Sequence, residues 1–272
     1  MQIHIARALA QCQKTIVSIR TYRQNLAKLI HVDTNQRNVV IFGQTGAGKS
    51  SILNMLAGEK VATVSGGASG CTSSNQSYPI PHSGKNYTFW DTAGLNESDD
   101  GTVSSRHAIQ NLLDLVKDND INLLVYCVRD RLPNIIRVNY DLFWGIVCKK
   151  KVPIVLVTTG LEGRTDMESW WGENQKAIKK MKMSFDGHAC ITSWRGRRNA
   201  YDREYEESAK KVWKLVGQYC KHPAWSMPTG WPDQALKDIE AYENDYKAGS
   251  GVQKFLQRLL SPRSWRASDH RH

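Results

Sequence analysis

Eight consecutive residues, Gly43-Gln44-Thr45-Gly46-Ala47-Gly48-Lys49-Ser50, fit the pattern G-x-x-x-x-G-K-[ST]. The chemistry of that pattern is the grip of a polyphosphate. Its glycines admit positive φ and let main-chain N–H groups approach phosphate oxygens, while a helix opening at its end adds the partial positive charge of a helix N-terminus. Lys49 then neutralises the β- and γ-phosphates. The Ser50 hydroxyl is placed to ligate Mg²⁺, an ion that takes six oxygens and keeps part of its water. Ser51, the next residue, is counted with the loop as nucleotide-binding.

A second constellation, Asp91-Thr92-Ala93-Gly94, closes the run Tyr87-Thr88-Phe89-Trp90. That spacing puts a carboxylate at the carboxyl end of a strand, where ligands of open α/β sheets bind. Asp91 is expected to orient a water on Mg²⁺, and the N–H of Gly94 to contact the terminal phosphate and report its loss. Between the two motifs, residues 65–77 are rich in Gly and Ser and able to order around a ligand. Thr72 is expected there as the hydroxyl and carbonyl partner of Mg²⁺ and the γ-phosphate. Thr63 is the runner-up, and a plain turn residue is the alternative. The expected catalytic set is Lys49, Thr72 and Gly94; the expected metal set is Ser50, Thr72 and Asp91.

These residues need strands and helices to hold them. From 38 to about 192, short apolar runs bounded by Gly, Pro and Asn alternate with stretches of helical period: 38–43, 87–91, 121–128, 153–159 and 188–192. This is an α/β pattern. The runs are continuous rather than alternating, as expected when helices cover both faces of a parallel sheet. Residues 74–81 supply a further strand with Pro79 near its edge, and Ile52, Leu53 and Leu56 mark a helix after the phosphate loop. A helix from Asp202 to Cys220 stops near Pro223, with Trp213, Leu215 and Val216 toward one face. Trp225, Pro228, Trp231 and Pro232 read as a packed linker, followed by helices over 233–247 and 252–260. At the other end, apolar residues at 5, 9, 12, 16, 19, 26 and 30, interrupted by Arg23, predict an amphipathic helix. The organisation expected is 1–37 as a basic amphipathic helix, 38–222 as the nucleotide-binding domain, and 223–272 as linker and C-terminal helices.

Charge and composition exclude several classes. The 272 residues carry a net charge of +11, but five of those charges belong to 1–37 and four to 249–272. Only two remain for everything between, so the central region lacks the basic stripe of a dedicated nucleic-acid binder. The basic ends suit an acidic protein partner or an anionic membrane surface, with a solvated face as the alternative. Six cysteines show neither C-x-x-C pairs nor zinc-finger spacing, which fits a reduced, cytoplasmic setting. No apolar run approaches the length of a spanning helix.

The motifs GQTGAGKSS, GCTSS, WDTAGLNE, LLVYCVRD, VPIVLVTTGLE and HACITSWRG resemble those of P-loop GTPases over about residues 38–200. They are most similar to the septin-like branch that includes plastid import receptors and immunity-associated GTPases, and to G-domain-containing proteins of mushroom-forming fungi. The resemblance implies a P-loop NTPase three-layer sandwich with a mainly parallel central sheet plus N- and C-terminal helices. GTP/GDP and Mg²⁺ are the implied cofactors.

In such GTPases a [NT]-K-x-D motif holds guanine, and its counterpart here is Thr159-Gly160-Leu161-Glu162. Gly160 replaces the lysine whose stem covers the purine. Glu162 replaces aspartate with a carboxylate one methylene longer. The family's last base contact falls at Thr192-Ser193-Trp194, where Ser193 lines the base and Trp194 or Arg195 either stacks on it or packs on the surface.

Many GTPases place a glutamine directly after Asp-x-x-Gly, whereas this chain has Leu95, then Asn96 and Glu97. Leucine cannot orient a water. Slow GTP hydrolysis is therefore expected, with missing groups supplied by the loops or, as the resemblance to dimerising septin-like GTPases implies, by a second protomer in a nucleotide-dependent homodimer. Arg129 and Arg131 are candidates for that contact in trans, with exposed loop arginines as the alternative. The expectation is a Mg²⁺-dependent GTPase acting as a switch or assembly module. The alternatives are a GTP-binding scaffold without significant hydrolysis and an ATP-using P-loop enzyme.

Overall fold

A computed structural model describes residues 33–63, 75–92, 106–132, 136–220 and 223–247. The basic N-terminal helix, Thr72, Gly94, Leu95 and the helix expected over 252–260 lie outside the described residues. By compactness the chain divides into a small unit, 1–36 with 81–87, and a large one, 37–80 with 88–272. The described part of the small unit contains a tight turn at Ser83-Gly84, both at positive φ (49° and 71°). Two such residues suit the primed turns that match strand twist.

Six strands form one sheet in the order β2-β3-β1-β4-β5-β6. They are β1 (Asp33–Gly43), β2 (Gln76–His82), β3 (Lys85–Asp91), β4 (Leu123–Arg129), β5 (Ile154–Thr159) and β6 (Gly187–Cys190). The pairs β1·β4, β4·β5 and β5·β6 are parallel. Pro79 sits on β2, the edge strand, where a missing N–H costs no ladder bond. The fold is thus the α/β class that the alternation of apolar runs implies.

The central strands β4, as far as Val128, and β5 are buried residue after residue, because helices cover both faces. Toward one face point Val40, Phe42, Leu124, Tyr126, Ile154 and Leu156, which share a core with Leu113 and Val116 of α2 (Arg106–Asp118). In that core Phe42 stacks between Tyr126 (centroids 4.5 Å apart) and Phe143 (4.2 Å). The alternate residues, among them Ile41, Val125, Val155 and Val157, are equally buried on the opposite face. There α1 (Lys49–Ala57) and α5 (Asp202–Tyr219) pack together, and α5 rests on β5 and β6. Gly187 makes that close approach practicable: a Cβ there would stand 2.5 Å from the Tyr219 ring.

The segment after β4 is a short α3 (Ile136–Tyr140) running into a π-helical stretch, Asp141–Val147, and α4 (Ser169–Lys180) follows β5. The last described helix begins earlier than the sequence pattern indicates. It is α6, Trp231–Lys247, with Pro232 in its first turn, where a proline's missing N–H has no intrahelical partner to lose. Its Ala235, Ile239 and Tyr242 join the core cluster. Trp231 Nε1 donates to the Val147 carbonyl (3.1 Å), and the Lys149 ammonium lies 3.6 Å from the Trp231 ring centroid. Trp225 pairs with Ile121 through two main-chain hydrogen bonds of 2.8 Å. Residues 225–242 are therefore packed into the body of the large unit rather than trailing from it.

Asp141 is the charged element of that junction. Its carboxylate accepts hydrogen bonds from Arg137 Nε (2.5 Å) and from the Tyr242 hydroxyl (3.4 Å), yet it is only 3% exposed. Burial outweighs these partners and pushes its pKa up to about 6. The folded state therefore binds this proton more tightly than the unfolded chain does. Its stabilising contribution is full below about pH 4 and is lost as pH rises to about 6, a change on the order of 3 kcal/mol. Thermal melts of the chain and of Asp141→Asn are expected to show the wild-type advantage shrinking between pH 4 and pH 7. A pH-independent difference would place the pKa elsewhere.

Candidate functional site

The phosphate loop sits on the carboxyl edge of the sheet because β1 ends at Gly43 and α1 starts at Lys49. Two glycines fit where no other residue would. A Cβ on Gly43 would stand 2.2 Å from the Cys127 carbonyl oxygen of β4. Gly48, at φ +90°, would bring a Cβ within 3.0 Å of Thr159 Oγ1. Gly46 also has positive φ (77°), while open space surrounds its missing Cβ. The loop is held from the side as well, since the Thr159 hydroxyl donates to the Ala47 carbonyl at 2.8 Å. Thr159 is thus a brace between β5 and the loop, in addition to heading the segment expected to contact a base.

Within this cradle the expected residues converge. The Lys49 ammonium donates to the carbonyls of Gly43 (3.1 Å) and Gln44 (3.2 Å), curled over the loop with 8% of the residue exposed. Ser50 Oγ donates to Asp91 Oδ2 at 2.9 Å, joining the loop to the end of β3. Asp91 is 2% exposed, and its Oδ1 has no hydrogen-bond partner among the described residues. Burial raises its pKa despite Lys49 and the Ser50 hydroxyl, which pull the other way. An orphaned, buried carboxylate oxygen beside a serine hydroxyl is the donor set a hard divalent cation would satisfy. The residues present fit Mg²⁺ at Ser50 and Asp91, and a polyphosphate on the glycine cradle.

About the base end the structure is equally specific. Gly160 has φ +77°, and Leu161 is buried at 1% exposure. Thr192 Oγ1 accepts from the Trp194 N–H (3.2 Å) and shares its own proton between Glu162 Oε2 (3.2 Å) and the Trp194 carbonyl (3.0 Å). The two segments expected to contact a base, 159–162 and 192–194, are therefore joined through one hydroxyl. Ser193 is half-buried, and the Trp194 indole is 52% exposed. Arg195, by contrast, is occupied: it pairs with Asp202 and with Glu206 (2.6 Å) and lies 4.1 Å from the Tyr205 ring centroid. It belongs to α5, which leaves Trp194 as the aromatic candidate of that pair. Thr63, the alternative to Thr72, is exposed beyond α1.

Comparison with known proteins agrees with this geometry. Residues 38–159, a little under half of the chain, match the family described as 50S ribosome-binding GTPase. The chain is 29% identical over 144 residues to the GTPase Der of Nautilia profundicola, covering 53% of this chain and 28% of that protein. It is 29% identical over 140 residues to the GTPase Era of Campylobacter fetus, covering 52% and 45%. It spans less than half the length of these relatives. Among solved structures, Toc33 from Arabidopsis thaliana in complex with GDP and Mg²⁺ shares the fold at a TM-score of 0.54 and 19% identity, over 73% of this chain and 90% of that one.

The brace from Thr159 yields a direct test. Thr159→Val keeps the shape but leaves the Ala47 carbonyl without its donor, a loss of about 1–2 kcal/mol. The affinity for GDP with Mg²⁺ is expected to fall about tenfold. An unchanged Kd in a fluorescence titration would mean that the loop does not need this bond.

Proposed function

We propose that the chain is a Mg²⁺-dependent GTPase that binds GTP and GDP on the 43–50 loop and turns over slowly, acting as a nucleotide-dependent switch or assembly module. The observation that carries this reading is the meeting of Lys49, Ser50 and the Asp91 carboxylate, with its one unpartnered oxygen, beside a loop braced by Thr159. Lys49 neutralises charge on the phosphates, and the loop's N–H groups do the same from the main chain. Ser50 and Asp91 would hold Mg²⁺, which when bound supplies charge stabilisation and orients the phosphate chain. Glu162, supported by Thr192, accepts from the guanine edge. A base site of paired donors and acceptors discriminates strongly, since a wrong base leaves groups unpaired. Ser193 and Trp194 complete the base pocket, and Thr72 and Gly94 serve the γ-phosphate.

Slow turnover is proposed because Leu95 stands where a water-orienting side chain is wanted. A nucleotide-dependent homodimer is proposed to supply the remainder, as the septin-like motif set implies. A solved structure with this fold, at 19% identity, is described by the statement that dimerization is important for the GTPase activity of chloroplast translocon components. Contact of the basic ends with a protein or membrane surface rests on the charge distribution alone. Among the described residues no helix is long and apolar enough to cross a membrane.

Phosphate release from GTP with Mg²⁺, measured at low and high protein concentration, tests the reading. Lys49→Ala is expected to lower GDP and GTP affinity by at least tenfold and abolish release. ATP is expected to compete with labelled GTP only at concentrations at least about tenfold above those of unlabelled GTP. Equal competition by ATP would favour an ATP-using enzyme, and intact GTP retained through purification would favour a scaffold.

A further inference from the structure

Gly160 brings no side chain to the base site, and the surface it leaves bare is taken by a residue from the neighbouring strand. A Cβ on Gly160 would stand 3.0 Å from Arg129 Cγ and 3.2 Å from Arg129 Nε. Arg129 is the last residue of β4, held against β5 by the hydrogen bond from Asp130 N–H to the Thr159 carbonyl (2.9 Å). It also lines one hollow with Gln44, Thr45, Gly46 and Ala47 of the phosphate loop. Its side chain thus lies against Gly160 and borders the same hollow as the loop. Unlike Arg195, which is committed to Asp202 and Glu206, Arg129 has no ion-pair or side-chain hydrogen-bond partner among the described residues.

We infer that Arg129 is the side chain that covers the face of the nucleotide's base, laying its guanidinium plane on the purine ring in front of Gly160. The inference rests on the guanine-nucleotide reading above. A guanidinium is planar, weakly hydrated and suited to stacking on a π-face, and its three-carbon stem supplies apolar contact that a bare glycine cannot. Gly160 also has a positive φ of 77°, which side chains rarely adopt, and a Cβ there would press on the same stem. Stacking is indifferent to the phosphate count. Arg129 therefore contributes to GDP and GTP alike and nothing to a ligand that has no base, whereas an arginine acting on the γ-phosphate of a second protomer would affect turnover and leave GDP binding untouched.

The test is a set of titrations with Mg²⁺ on the full chain, using GDP, a non-hydrolysable GTP analogue and inorganic tripolyphosphate. Arg129→Ala is expected to weaken GDP and the GTP analogue by a common factor of about ten, with tripolyphosphate affinity unchanged, and Arg129→Lys to recover part of the loss. Unchanged GDP affinity in Arg129→Ala overturns the inference, whether or not turnover falls. An equal loss for tripolyphosphate overturns it too, since the arginine would then be serving the phosphates. If the wild-type chain binds tripolyphosphate but no guanine nucleotide, it is the proposed function that fails, before Arg129 is brought into question.

Discussion

The site depends on how closely the phosphate loop lies against the carboxyl ends of its two neighbouring strands. Gly43 touches the Cys127 carbonyl of β4 so tightly that no side chain could intervene, and Gly48 lies under the Thr159 side chain of β5. The Thr159 hydroxyl then ties the loop to β5 through the Ala47 carbonyl. These contacts fix the main chain of the loop before any ligand arrives. Amides held in advance need no reorganisation when charge appears, which is the source of their value in phosphoryl chemistry. The buried sheet supplies the rigidity: β4 and β5 are enclosed along their length and paired in parallel register up to Arg129 and Thr159.

The reach of the sequence can be judged residue by residue. The turn from strand to helix at 43–50 was legible because the pattern of fixed glycines and a following lysine makes chemical sense only on such a turn. Asp91 was legible because an apolar run points to the edge of a sheet where its carboxylate must end. The continuous apolar runs announced a parallel, doubly covered sheet, and β2 with Pro79 fell at the edge. Roles that depend on contacts between distant strands were harder. Nothing in the spacing of Thr159 reveals that its hydroxyl reaches back 112 residues to Ala47. Likewise Arg129 and Gly160 are neighbours only because β4 and β5 pair in register, and the commitment of Arg195 to α5 is written in the geometry of Asp202 and Glu206.

The C-terminal region was the least legible. A stretch bearing Trp225, Pro228, Trp231 and Pro232 carries turn signals and aromatic bulk at once, and those signals do not say which surface the aromatics will cover. The answer lies in the π-helical segment 141–147, which presents the Val147 carbonyl to Trp231 and the Asp141 carboxylate to Tyr242. Helix α6 is the outer wall of the same core whose inner wall is the sheet.

Because α6 seals that wall, a cut just before residue 223 would divide one core. A fragment severed there would lay bare the apolar flank formed by Phe143, Ile146 and Val147, and would strand the Asp141 carboxylate without the Tyr242 hydroxyl. Such a surface, contiguous and greasy, invites association with whatever lies nearest. The C-terminal helix thus acts as a keystone, closing the core with residues remote in sequence from the 43–50 loop.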